Sequence, residues 1–512
     1  MNGQMSFSDL LKNHPNDPAY VCLDQTATRA ELLDASDRAA GYLRSRGLKS
    51  GDVICVWLPD GGAWLQLLFA AARLGVLMVP VSTRFRYEEA LHVVKTAQAK
   101  LIFVQPQFVG YDYMAVAQDI QAQVSSVEDI VAVDQPAALM PFDGTEPIRQ
   151  DQGELTDLLC TFSTSGTTGN PKLATHTQQS ILMHAQNVAK ATRVVRGDAS
   201  LCVLPLYGVL GFVQAISAIA GSAKCIFMQT FGVEDAARLV EEHQATHFYG
   251  GEGLFDDIIS VPQYSATSFK YVGFAEFAGR GLEVCEKAWR ELNLPMVSLY
   301  GSSECFAIMA AQPTEDDSAA RAVAGGMPIC EDIKFRVADV QTDIELGDNE
   351  RGELQFQGYN VMSGYLNNPQ ATADAFTADG WFRSGDLGYR YGKKFAYLSR
   401  IKDTLRLRGY LVDPVEIEMF INRLDGVSET QVVAHRHPDK GDVAVAFIIK
   451  STGAPITQEE VYTHCRQGLA NYKVPSHFVF VEDFPRKLGP NGLKILKNQM
   501  RDMAKDIVMN PD

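Results

Sequence analysis

Short apolar runs alternate with helical stretches through the first 300 residues, and this rhythm limits the folds open to the chain. Val53–Leu58, Val76–Val81, Leu101–Val104, Ile130–Val133, Leu201–Leu204, Cys225–Met228, Tyr271–Val272 and Met296–Tyr300 are strand-length runs. Between them lie segments of helical periodicity, such as Ala63–Leu74, Val233–His243 and Leu282–Leu292. Strands alternating with helices predict an α/β fold with largely parallel sheets. After Arg351 the pattern changes to Gly352–Gln357, Trp381–Gly385 and Phe395–Ser399, separated by glycine turns, which predicts a β-rich subdomain. Beyond Arg400, helices over Pro414–Arg423 and Thr457–Leu469 and strands at Val432–Val433 and Val443–Ile449 predict a small α+β domain. The expected division is 1–400 and 401–512, since 512 residues exceed one ordinary core.

Composition narrows the partners. The net charge of −16 opposes nucleic-acid and anionic-membrane binding. Nine scattered cysteines with no Cys-x-x-Cys suit reduced thiols in a cytoplasmic protein. Residues 201–223 carry no charge and are long enough to span a bilayer. Pro205, Gly208, Gly211 and Gly221 interrupt them, so a strand, a turn and a buried helix are expected instead.

The strand ending at Cys160 leads into Thr-Phe-Ser-Thr-Ser-Gly-Thr-Thr-Gly-Asn-Pro-Lys, residues 161–172. Glycines let backbone N–H groups converge on a ligand, hydroxyls add donors, and Lys172 adds charge, a combination suited to a polyphosphate. Asn170 and Pro171 separate Gly169 from Lys172, so this is not the Gly-Lys-Ser/Thr loop of P-loop proteins.

Further motifs follow in order: Tyr300-Gly301-Ser302-Ser303-Glu304, Trp381–Asp386, Arg400–Asp403 with Arg408-Gly409-Tyr410, Asn471–Pro475, and Lys494–Lys497. Together with 161–176, this series resembles the adenylate-forming superfamily, which includes acyl- and aryl-CoA synthetases, and the resemblance spans nearly the whole chain.

It implies a large N-terminal domain of stacked α/β subdomains plus the β-rich part, and a small mobile C-terminal domain. It implies activation of a carboxylic acid by ATP and Mg²⁺ to an acyl-adenylate, followed by thioester formation. Thr164, Ser165, Gly166, Thr167, Thr168, Gly169 and Lys172 would cradle the β- and γ-phosphates. Ser303 would contact the α-phosphate, Glu304 would hold Mg²⁺, and Tyr300 with Gly301 would flank adenine. Asp386 and Arg400 would take the ribose, and Lys494 would serve the reacting phosphate and carboxylate, with Lys487 as its rival. Lys402 would be the hinge, and Gly409 would line the thiol tunnel.

The acyl pocket departs from the family pattern. Gly208 replaces a usual histidine and lacks the aspartate that pairs an amino acid's ammonium. Tyr207, Gly208, Phe212, Gly250, Phe274 and Phe306 suggest a pocket for an apolar tail, with Glu252 and Glu276 near it or bonded to backbone. The acceptor is coenzyme A or the phosphopantetheine of an acyl carrier protein acting in trans. A monomer or homodimer is expected, and a non-catalytic nucleotide-binding relic is the distant alternative.

Overall fold

The computed structural model describes residues 5–164, 171–262, 268–276, 280–407, 410–412, 414–437, 441–489 and 492–509. The chain divides into two compact units. One is Met1–Lys334 with Phe356–Phe382; the other is Phe335–Gln355 with Arg383–Asp512.

Two sheets build the first unit. One runs in the order Gly364–Tyr365, Leu173–Thr177, Leu158–Ser163, Leu77–Pro80, Val53–Trp57, Leu101–Val104, Asp129–Ala132. The other runs Gly325–Pro328, Phe306–Ala311, Val297–Ser302, Tyr271–Ala275, His247–Gly251, Ala199–Cys202, Lys224–Phe227, Pro18–Cys22, Gln25–Thr28. The alternating pattern of the sequence is therefore realised as α/β. Inner strands pair in parallel, as Val53–Trp57 does with Leu77–Pro80, and are apolar on both faces because helices cover them.

Each parallel run ends at a strand that turns back antiparallel. Leu158–Ser163 returns as Leu173–Thr177, and Val297–Ser302 returns as Phe306–Ala311. These reversals lie at the carboxyl ends of parallel strands, where open α/β sheets bind ligands. They carry Lys172 and the Ser303-Glu304 turn.

The uncharged segment resolves as expected. Ala199–Cys202 is a strand, and Val209–Ala220 is a helix buried at every residue but Ala220. Gly211 lets that helix press on the preceding turn, since a Cβ there would meet the Leu204 carbonyl oxygen at 2.4 Å. Among the described residues, no helix is long and apolar enough to cross a membrane.

In the second unit, Lys334–Ala338, Arg351–Gln357, Phe382–Tyr391 and Lys394–Arg400 are successive neighbours. A further sheet of Leu405–Leu407, Tyr410–Val412, Val427–His437, Gly441–Lys450 and His477–Val481 carries the helices Pro414–Ile421, Gln458–Gly468 and Lys497–Met509. Val427–His437 is far longer than the two valines that announced it, because it pairs with Gly441–Lys450 along its whole length. Thr457 caps the helix after it through a reciprocal box with Glu460.

Candidate active site

The Glu304 turn is held by a bulge and by hydrogen bonds from distant parts of the chain. Between the pairs Tyr300–Ala310 and Ser302–Phe306, Gly301 alone lies opposite three residues, 307–309. This bulge sets Phe306 and Ile308 at φ 59°, in the left-handed region that non-glycine residues avoid. Such strain persists only where surrounding structure over-determines it, and it gathers at functional sites.

The over-determination comes from distant parts of the chain. His176 Nε2–H donates to the Ser303 carbonyl at 2.8 Å, and the Met362 N–H donates to that of Glu304 at 2.7 Å. Asn360 Nδ2 donates to Cys305 O at 2.9 Å, and His184 Nε2–H donates to Ala307 O at 2.8 Å. Tyr359 Oη, which receives Asn187 Nδ2 at 3.0 Å, lies 3.2 Å from His184 Nδ1. The Phe306 ring stacks on both imidazoles, at centroid distances of 3.9 Å to His176 and 4.7 Å to His184.

Burial pushes the pKa of His176 down to about 3 and that of His184 to about 4, so both are neutral. An unfolded histidine takes up a proton below about 6.5, whereas these do not. Stability from each is therefore full above that pH and falls by about 1.4 kcal/mol per unit as pH drops towards the folded value. The stability advantage of wild type over His184→Gln is expected to shrink at that slope from pH 6.5 to 5 in denaturant titrations. A constant difference contradicts the buried neutral state. Asp60 and Glu276 tilt the total the other way, because burial raises both to about 7 and their stabilisation is lost as pH rises.

Glu304 is half-buried, and its Oε1 accepts the Tyr365 hydroxyl at 3.0 Å. The face of the Tyr365 ring carries Lys172 Nζ, 4.0 Å from the centroid. Lys172 and Glu304 thus meet through one tyrosine. Thr164, at the loop's start, donates its N–H to Lys172 O at 2.8 Å and closes the hairpin base. Ser165, Gly166, Thr167, Thr168 and Gly169 lie outside the described residues, as do Gly409 and the side chain of Lys494.

Among the described residues, no group of three or more His, Cys, Asp or Glu could hold a metal alone. Glu304, with one oxygen on Tyr365, fits Mg²⁺, which binds through one or two carboxylates and completes its shell with phosphate oxygens and water. Bound there, Mg²⁺ would neutralise phosphate charge.

The Tyr300 ring is buried and lies 5.5 Å from that of Phe356. The acyl-pocket candidates fall into separate groups. Phe212 and Phe306 share an aromatic cluster through Phe162, at 5.0 and 6.4 Å. Gly250 and Phe274 are paired residues of adjacent parallel strands, and a Cβ on Gly250 would meet the Phe248 ring at 2.8 Å. Tyr207 and Gly208 are buried at the start of the helix Val209–Ala220. Glu276 accepts the Gly281 N–H at 3.0 Å, at the head of the helix Gly281–Leu292. Burial, with the nearby Glu252 adding repulsion, holds its proton on to about pH 7.

In the second unit, Asp386 and Arg400 face each other across paired strands. Arg400 Nε lies 3.0 Å from Asp386 Oδ1, and Nη1 donates to Ser384 O at 3.0 Å. Gly385, at φ 69°, supplies the left-handed turn before Asp386. Lys402 is exposed within the short helical turn Ile401–Asp403, where Asp403 pairs with Arg501. Lys487 and Lys494 are register partners in the hairpin of Arg486–Gly489 and Gly492–Ile495.

His184, Asn360 and Tyr365 carry no motif, and His176, which ends the 161–176 stretch, was assigned no role. The side-chain partners named above lie at least 55 residues away, so no local spacing announces them.

Comparison with known proteins supplies the family. Residues 7–366 match the family model described as AMP-binding enzyme, and residues 416–488 that of the AMP-binding enzyme C-terminal domain. A Mycobacterium tuberculosis 3-[(3aS,4S,7aS)-7a-methyl-1,5-dioxo-octahydro-1H-inden-4-yl]propanoyl:CoA ligase is 28% identical, over 97% of both chains. The medium-chain acyl-CoA ligase ACSF2 of Rattus norvegicus is 27% identical, over 95% of this chain and 85% of that one. The ATP-bound structure of MatB from Rhodopseudomonas palustris has a TM-score of 0.89 at 24% identity, covering 98% and 99% of the two chains. The chain belongs to the AMP-binding enzymes of the adenylate-forming superfamily and is an acid–thiol ligase of its AMP-forming acyl-CoA synthetase type.

Proposed function

We propose that this protein activates an apolar carboxylic acid with Mg-ATP and passes the acyl group to the thiol of coenzyme A. In the first half-reaction a carboxylate oxygen attacks the α-phosphorus, and the bond to pyrophosphate breaks. In the second, the thiolate attacks the acyl carbonyl carbon and AMP leaves. The observation that carries the reading is the junction of Lys172, Tyr365 and Glu304, which brings an ammonium and a carboxylate onto one ring, a pair suited to phosphate and to a hard cation. Ser303 serves the α-phosphate, the Asp386–Arg400 pair serves the ribose, and Lys494 offsets charge as the adenylate forms. Lys402 serves as the hinge for the C-terminal part of the chain, and Gly409, outside the described residues, serves the approach of the thiol.

The choice of an apolar acid is supported by Gly208, which offers no partner for an ammonium group. It also agrees with the fatty and bicyclic acyl groups named for the relatives.

Acid-dependent exchange of pyrophosphate into ATP tests the reading across a panel of fatty, aryl and amino acids. Exchange is expected with apolar acids, and its absence with every acid rejects catalysis. Offering coenzyme A and carrier proteins as competing acceptors decides the thiol; transfer only to a carrier overturns that part. Lys494→Ala is expected to slow exchange by about a hundred-fold or more, as loss of one transition-state contact does. It should leave thioester formation from supplied acyl-adenylate intact, and equal loss of both steps removes the assigned role.

A further inference from the structure

Tyr365 belongs to no motif, yet it touches both charged groups of the proposed phosphate site. Its backbone is held on every side. Gly364–Tyr365 pairs antiparallel with Leu173–Thr177, Ser363 N–H donates to Thr175 O at 2.9 Å, and Leu366 N–H donates to Leu173 O at 2.8 Å. The Tyr365 N–H also donates to Thr372 Oγ1 at 2.9 Å. Gly364, at φ 149°, turns its bare α-carbon towards Thr372, whose Cγ2 would lie 2.8 Å from an added Cβ. The ring is thereby aimed from the strand next to Lys172 towards the Glu304 turn, and is 7% exposed.

A lysine and a glutamate that both reach one tyrosine would, without that ring between them, be free to pair directly. That pair would occupy the ammonium needed for phosphate and the carboxylate needed for metal. The tyrosine gives each a different part of itself. The ammonium lies over the π-face, and the carboxylate takes the hydroxyl proton. One carboxylate oxygen is engaged and oriented, and among the described residues the second takes no hydrogen bond, which leaves it for a cation.

We propose that Tyr365 is a positioning residue that spaces Lys172 from Glu304 and orients the carboxylate for Mg²⁺. The inference rests on the Mg-ATP reading of the site. Its tests are titrations of ATP by calorimetry, with and without Mg²⁺, which require no turnover.

Tyr365→Phe keeps the ring and removes the hydroxyl. It is expected to weaken Mg-ATP binding about ten-fold, the scale of a hydrogen bond to a charged group, and to leave metal-free ATP binding unchanged. Tyr365→Leu removes both contacts and lets Lys172 and Glu304 pair, so metal-free binding should weaken as well. In a Glu304→Gln background, Tyr365→Phe should add nothing, because both changes act on one carboxylate.

Equal weakening with and without Mg²⁺, additivity with Glu304→Gln, or unchanged Mg-ATP binding in Tyr365→Phe each overturns the spacer role. So does a Tyr365→Phe chain that fails to fold while Glu304→Gln binds Mg-ATP as wild type does. Wild type that binds no Mg-ATP overturns the site reading itself. Wild type that binds while Tyr365→Phe matches it overturns only this inference.

Discussion

Replacing Gly301 with alanine is expected to destabilise the protein and to abolish most of its activity. The added Cβ would lie 2.1 Å from the Phe306 carbonyl oxygen and 2.6 Å from Ala307 Cα. Both obstacles are main chain, so no rotamer change relieves the contact, and one strand must move. That main chain is already at φ 59° at Phe306 and Ile308 and is bonded at the carbonyls of residues 303, 304, 305 and 307. It has little freedom to yield. Overpacking of this kind costs roughly 1–3 kcal/mol. A displacement of about 1 Å at a reacting centre costs about a hundred-fold in rate. Thermal unfolding and pyrophosphate exchange measured on one preparation separate the two effects. A Gly301→Ala enzyme with wild-type exchange shows that the Glu304 turn is not held as rigidly as these contacts imply.

Glu304→Ala is expected to lower pyrophosphate exchange by about a thousand-fold, since metal-assisted charge stabilisation is worth several kcal/mol. The loss should persist at high Mg²⁺ concentration, because no second cluster of ligands stands in among the described residues. Stability should change little by comparison. The half-buried side chain accepts a hydrogen bond from Tyr365, while the turn is held through main-chain carbonyls. Full recovery at high Mg²⁺ would mean that Glu304 only raises metal affinity. Full activity at ordinary Mg²⁺ would remove it from the site.

The contrast between these two substitutions separates what holds the site from what acts in it. Gly301, His176, His184 and Asn360 hold the turn and touch no phosphate in the proposed reaction. In the proposed reaction Glu304 and Lys172 act, and Tyr365 joins them.

Much of this protein was legible in its sequence. The alternation of apolar runs and helices gave the α/β layers, because burial on both faces needs continuous apolar strands while helical periodicity needs one apolar stripe. The hydroxyl- and glycine-rich stretch suggested a phosphate loop, because close backbone approach requires glycine, but residues 165–170 lie outside the described residues. The ordered motifs identified the superfamily. The pairing of Asp386 with Arg400 was also expected, and two short strands joined by a tight turn bring them into register.

Tertiary structure alone decided the rest. Phe306, expected in the acyl pocket, is stacked against two histidines that come from the strand and helix after the phosphate loop. Glu276 takes a backbone N–H at a helix head, one of two readings the sequence left open. Lys172 and Glu304 are joined by Tyr365, 61 residues beyond the carboxylate. Local sequence records what a residue can do by chemistry and spacing. Which partner it meets depends on strand order, and strand order is set by the whole chain's burial rather than by any segment of it.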